Sequence, residues 1–203
     1  MLIQKNIDDF KMNLDIEDGG ISKTLYHNGG REKVFMSILK DTVQEGMTCL
    51  DLGGNIGYTT LPMLRNVGPE GFVYAVEPDS QSIGILTKNV EDNAYSDRCE
   101  ITQCAISGHD GIVEFWEASK PNLSSVKKNK YSTVKKQVPC FSLNTFLQDR
   151  RYPNFIKMDV EGHEVKIFEG GLDYFAKNEG HTNILLEVHP NTYDADNDFE
   201  KIL

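Results

Sequence analysis

Apolar residues along this chain come in short blocks rather than in one repeating period. MTCLDL (47–52), FVYAVEP (72–78), CEITQCAI (99–106), NFIKMDV (154–160) and NILLEVH (183–189) are compact runs, the mark of strands covered on both faces. Between them the spacing turns helical. Val34, Phe35, Ile38 and Leu39 predict an amphipathic helix over about 31–43, broken by Gly46. Residues from about Gly57 to Asn66 read as a second helix, and Asp79 or Ser80 can cap a third running to about Asn93. Val165, Phe168, Leu172 and Phe175 carry the pattern past His163, with Gly170-Gly171 placed to bend it. MNLDIED (12–18) alternates as a half-buried strand does, and GIVEFWEA (111–118) and QVPCFSL (137–143) are further strand candidates. HNGG (27–30) and GPEG (68–71) read as turns.

Strands alternating with helices mean βαβ units, hence an α/β fold with a doubly wound, mostly parallel sheet. The 203 residues suit one domain overall: an N-terminal strand and helix extension over 1–45, packed on a core over 46–203.

A net charge of −10 argues against nucleic acid as an obligate partner. No apolar run is long enough for a membrane span, and MLIQKNIDDFKMNLD has acids where a signal peptide has its apolar centre. Cys49, Cys99, Cys104 and Cys140 lack CxxC spacing, which points to reduced thiols and a cytoplasmic protein. One stretch departs from the acidic balance. KPNLSSVKKNKYSTVKK (120–136) carries six lysines and no acid, and reads as an exposed loop. It is either a solvated connector or a flap that recognises an anionic substrate.

The first strand of the run leads into DLGGNIGYTT (51–60), a glycine-rich turn between strand and helix, which is a nucleotide-binding position. Neither GxGxxG nor GxxxxGK[ST] is present. Asp51 would repel a pyrophosphate there, whereas it would attract a cationic group. The helix behind the turn is expected to aim free N–H groups at a carboxylate. S-adenosylmethionine (SAM) combines both charges and lacks phosphate. Glu77, followed by Pro78, ends the next strand and can accept from two ribose hydroxyls, and Cys104, Ala105 and Ile106 can flank an adenine.

DLGGNIGYTT, VYAVEP, CAIS, IKMDVEGHE and LLEVH together resemble the FkbM-type family of SAM-dependent methyltransferases, from about Gly46 to His189. The resemblance implies a Rossmann-like SAM methyltransferase sheet, SAM as methyl donor, and usually O-methylation. It places Asp51, Gly53, Asn55, Gly57 and Thr60 in the cofactor loop and Glu77 on the ribose. Gly54 stands where this family more usually has alanine. Pro62 would kink the following helix if that helix starts near Gly57. Only 14 residues follow His189, too few for the last two strands of a seven-stranded methyltransferase sheet. An open edge strand would then ask for cover, such as a second copy of the chain in a homodimer.

Asp159, Glu161, His163, Glu187 and His189 would crowd one rim if the strands ending at 160 and 189 are neighbours. His163 is the expected general base, since an unperturbed histidine titrates near pH 6.5. Asp159 would orient substrate or cap the next helix, and Glu161 would do either. A second reading has Asp159, Glu187 and His189 hold Mg²⁺. The expected reaction is O-methylation of a small molecule or glycan unit, anionic if the lysine segment takes part. An NAD-dependent oxidoreductase and a non-catalytic SAM-binding module are the rival readings.

Overall fold

Alternate residues of the central strands feed two separate apolar layers, and that alternation organises the molecule. In the computed structural model, which describes residues 1–17, 19–178, 180–194, 198 and 199, five strands run parallel. In spatial order they are β10 (Asn183–Leu186), β9 (Phe155–Met158), β3 (Thr48–Leu52), β4 (Phe72–Val76) and β5 (Cys99–Thr102). Cys49, Val73, Ala75 and Phe155 point to one layer, and Leu50, Leu52, Tyr74, Val76, Ile156 and Met158 to the other. The first layer is closed by α1 (Ile21–Asn28), α2 (Lys33–Thr42), α3 (Thr60–Asn66) and α4 (Ser80–Asp92). The second is closed by α5 (Leu143–Leu147), α6 (Glu164–Glu169) and α7 (Leu172–Lys177). Each wholly buried leucine or isoleucine in these layers contributes about 1.5–3 kcal/mol.

The chain winds outward from β3 through β4 to β5, then returns on the other side through β9 and β10. The switch point falls between β3 and β9, so their carboxyl ends, at Gly53 and Asp159, open the crevice where this architecture takes ligands.

Several expectations needed revision. Before the first predicted helix lie β1 (Leu2–Ile7), paired antiparallel with β2 (Phe10–Asp15), and then α1. Neither β1 nor α1 was legible, and Asp18, at the end of the alternating stretch, lies outside the described residues. In α2 the buried positions are Met36 and Leu39, whereas Val34 and Ile38 are exposed. α3 starts at Thr60 rather than Gly57. Pro62 therefore sits in the first turn of α3, where proline is tolerated, and no kink is required. The run 99–106 is two strands: β5 ends at Thr102, and Ala105–Ser107 forms β6 in a second, three-stranded sheet with β7 (Gly111–Ala118) and β8 (Ser132–Ser142). The lysine segment is tied down, since Ser125 bridges Trp116 and residues from Ser132 belong to β8. The Gly170-Gly171 pair does break its helix, into α6 and α7. A side chain at Gly170 would collide with the Ser107 carbonyl.

The first 45 residues pack on the main layer through Leu14, Leu25 and Leu39. No helix among the described residues is long and apolar enough to cross a membrane.

Candidate active site

The crevice at the switch point is a cleft of about 990 Å³, counted out to its open mouth. One wall is the glycine turn after β3 and the end of β4. The opposite wall is the segment after β9, with Glu187 from beyond β10. The segment between β7 and β8 closes the top with Ser124, Ser125 and Val126. It is fastened there by Ser124, whose hydroxyl donates to Asp79, the residue that also caps α4 by accepting from the amides of Gln81 and Ser82.

The glycine turn is wired internally. The amides of Gly53 and Gly54 both donate to the Val76 carbonyl at 3.0 Å. The Asn55 amide donates to Glu77 Oε2 at 2.8 Å, the Ile56 amide to Asn55 Oδ1 at 2.9 Å, and the Gly57 amide to the Gly54 carbonyl at 2.8 Å. Asn89, fully buried on α4, supports the turn from behind by donating to the Ile56 carbonyl. Gly53 takes φ +77°, and a side chain there would run into the Asp159 carbonyl, so only glycine lets the two strand ends approach. The expectation of free turn amides awaiting a ligand is thus corrected for residues 53–57. A pyrophosphate would find no donors among them, which fits a phosphate-free ligand.

Asp51 is also placed differently from its expected role. It points into the first apolar layer, not into the cleft. Its Oδ2 accepts from the hydroxyls of Thr59 at 2.9 Å and Thr60 at 2.7 Å, and its Oδ1 lies 3.2 Å from Lys157 Nζ. Asp51 and Lys157 are register neighbours on β3 and β9. Lys157 Nζ further donates to the Gly53 carbonyl at 2.7 Å. Burial works against the lysine's charge, but Asp51, Asp159 and Glu77 outweigh it and its pKa is raised. This pair clamps the two strand ends that make the cleft. Thr60 and Gly57 likewise lie behind the lining, and Thr59, itself buried, is the threonine of the pair that lines the cleft.

Gly53, Gly54, Asn55, Glu77, Pro78, Cys104 and Ala105 do line the cleft. Glu77 is buried and accepts the Asn55 and Asp79 amides, one on each oxygen, both at 2.8 Å. Burial pushes its pKa up to about 7. Each oxygen keeps a further lone pair for a ligand hydroxyl.

Across the cleft, β9 and β10 are neighbours and the five ionisable groups do gather. They divide into two. His163 is buried, not solvent-facing, and its Nε2 is 3.0 Å from Ser107 Oγ. Burial lowers its pKa to about 4, so it is uncharged at neutral pH. That value makes it a poorer proton acceptor than the free histidine anticipated. His189 is the hub of the rest. Its Nδ1 lies 2.8 Å from Oε1 of the wholly buried Glu164, and its Nε2 faces Asp159 at 3.8 Å, Glu161 at 3.7 Å and Glu187 at 3.9 Å. The Glu164 bond, together with the charges of Glu161 and Asp159, holds the His189 pKa up at about 9 against the effect of burial. Burial raises Glu161 to about 7, against the pull of His189. Asp159 does not cap α6; His163 occupies that position.

Sequence reasoning missed Lys157, Glu164, Ser107 and Arg31. Lys157 carried a signal: a lysine inside an apolar central strand needs a buried acid. Arg31 lines the cleft from the N-terminal segment. Its N–H and C=O both bond the Tyr58 hydroxyl, at 3.1 Å each, and its guanidinium pairs with Glu32. None of the six lysines of 120–136 lines the cleft; Lys127, for one, is engaged by the Thr192 carbonyl and Asp194.

A family model described as the Methyltransferase FkbM domain matches residues 51–203. A protein-L-isoaspartate O-methyltransferase of Triticum aestivum is 39% identical over 59 residues, covering 29% of this chain and 26% of that protein. A tRNA wybutosine-synthesizing protein 2 homolog of Rattus norvegicus is 43% identical over 56 residues, 28% of this chain and 13% of that one. The chain thus spans about a quarter or less of the length of these curated relatives. Among solved structures, an O-methyltransferase from Bacillus cereus in complex with SAH is 16% identical, with a TM-score of 0.44 over 76% of this chain and 54% of that one. With the family match running from the acid-tipped turn to the last residue, the chain belongs to the FkbM family of SAM-dependent methyltransferases.

Proposed function

We propose that this protein moves a methyl group from SAM to a hydroxyl oxygen of a small molecule or sugar unit. The observation that carries the reading is one cleft with two unlike walls, an internally bonded turn facing a rim of carboxylates. Bound SAM supplies an electrophilic methyl group on a sulfonium. Glu77, as a carboxylate, accepts from the ribose hydroxyls, while Pro78, Ala105 and Ile106 form a flat apolar slot for the base. Because the amides of 53–57 are committed, the carboxylate of the amino-acid tail falls to Arg31, the one guanidinium lining the cleft among the described residues. On the other wall Glu161 and Asp159 accept from the acceptor hydroxyl and hold it in line. Such positioning lowers a barrier by roughly 7–11 kcal/mol. Glu161, whose pKa of about 7 suits a proton acceptor, takes the hydroxyl proton, a role that contributes ~10²–10⁴-fold. His163, bonded to Ser107, shapes the wall. Since the lysines of 120–136 stand outside the lining and the rim is acidic, the acceptor is a neutral polyol rather than an acid.

Methyl-labelled SAM incubated with fractionated metabolites tests the reaction. Label in a methyl ether supports it; label in an ester, on nitrogen or on carbon, or SAM binding without any turnover, rejects it. Arg31→Gln tests the orientation. It should weaken SAM about 10-fold or more, the loss expected for a charge-assisted hydrogen bond. Binding of methylthioadenosine, which lacks the tail, should not change. Equal losses for both would move the tail elsewhere.

A further inference from the structure

The rim around His189 has an electrostatic problem that the methyl-transfer reading leaves unsolved. Glu164 is wholly buried, and its Oε1 accepts the Gly162 amide at 3.0 Å and faces His189 Nδ1 at 2.8 Å. A carboxylate accepts only, so Nδ1 carries a hydrogen and the ring's orientation is fixed. The other nitrogen, Nε2, then points at three carboxylate oxygens, of Asp159, Glu161 and Glu187, at 3.7–3.9 Å. These separations are too long for hydrogen bonds. An N–H there reaches none of them, whereas a cation bound at Nε2 in place of that proton would meet the carboxylates directly. Four acids, counting Glu164, surround one imidazole.

We infer that Asp159, Glu187 and His189 Nε2 hold a divalent cation. One ligand atom from each lies within 4.8 Å of the other two. Metal–ligand bonds of about 2.0–2.2 Å place neighbouring ligand atoms roughly 3 Å apart and opposed ones about 4 Å apart, so closure needs only small side-chain shifts. The backbone of both acids is anchored: the Asp159 amide donates to the Leu52 carbonyl, and the Glu187 amide to the Met158 carbonyl. Glu164 behind His189 reproduces the carboxylate–histidine arrangement that orients metal-binding imidazoles. A set of one nitrogen and two oxygens suits Mn²⁺ or its later first-row neighbours better than Mg²⁺, which favours oxygen alone. The cation would face the acceptor end of the cleft and acidify a hydroxyl that coordinates it. That consequence rests on the proposed reaction; the site itself does not.

The test uses the full chain stripped of metal and titrated with MnCl₂, followed by electron paramagnetic resonance of free Mn²⁺. One Mn²⁺ should bind per chain. Asp159→Asn, Glu187→Gln and His189→Gln should each weaken it at least tenfold, and Glu164→Gln by 10–100-fold. Lys128→Ala should change nothing. Circular dichroism and SAM binding without metal are measured on every variant, so a folding failure or a failed cofactor site shows separately. No stoichiometric binding to the folded wild-type chain overturns the inference. So does Mn²⁺ binding that survives His189→Gln, which would mark a diffuse acidic patch.

Discussion

The two walls of the cleft are built on opposite plans. On the turn side every amide from Gly53 to Gly57 has a partner inside the protein, and both oxygens of Glu77 are already in use. On the rim side the nearest charged atoms stand 3.7–3.9 Å from His189 Nε2 and satisfy none of their needs directly. The first wall can keep its shape without help, while the second gathers three carboxylates around an imidazole nitrogen that hydrogen-bonds none of them. Recognition of an unreactive nucleoside suits the first, and chemistry on an acceptor suits the second.

The comparison can be broken most severely from beneath. Asp51→Ala would leave Lys157 buried without its acid, and breaking such a pair costs about 3–5 kcal/mol. Urea denaturation should show that loss. If stability holds while SAM affinity collapses, Asp51 is a ligand after all and the clamp reading is wrong.

Glu77 tests the turn side next. Replacing it by Gln should weaken SAM and adenosine equally, by about 10–100-fold for a charge-assisted hydrogen bond. Its pKa, raised to about 7 with Asp79 and Lys157 as its charged neighbours, adds a pH signature. On the proposed reading the carboxylate form binds, so SAM affinity should fall roughly tenfold between pH 8 and pH 6. The cofactor-free protein moves the other way. A folded value above the usual 4.5 means this group's stability is fully present below 4.5 and lost as pH rises through 7. A pH-independent dissociation constant would remove Glu77 from the site.

The smallest expected effect concerns His163. Its folded pKa of about 4 lies below the ordinary 6.5, so its contribution is intact above 6.5 and is lost as pH falls through 4. At pH 5 that amounts to about 2 kcal/mol. His163→Asn should remove that much of the acid sensitivity in thermal melts compared at pH 7 and pH 5. Identical pH dependence in the two proteins would mean the imidazole charges freely, and would reinstate it as a general base.

The sheet was legible because its strands are apolar runs with no competing signal. The boundary inside CEITQCAI was not, since both halves are equally apolar and only the tertiary fold sends Ala105 to another sheet. β1 was hidden because LIQKNI is mostly exposed. At the site, position along a strand was readable but side-chain direction was misjudged. Asp51 sits at the strand tip, as read, yet faces the layer below, and the lysine that explains this is 106 residues further on. Tautomer and orientation at His189 depend on Glu164, which spacing alone could not assign as its partner.

The self-sufficient wiring of residues 53–57 has a kinetic side. On the proposed reading, spent cofactor leaves behind a receptacle already formed for its successor, so exchange of one nucleoside for the next involves no refolding of that loop. Its amide hydrogens should resist deuterium exchange about as well in the empty protein as in the loaded one, and the pace of turnover is then set elsewhere in the molecule.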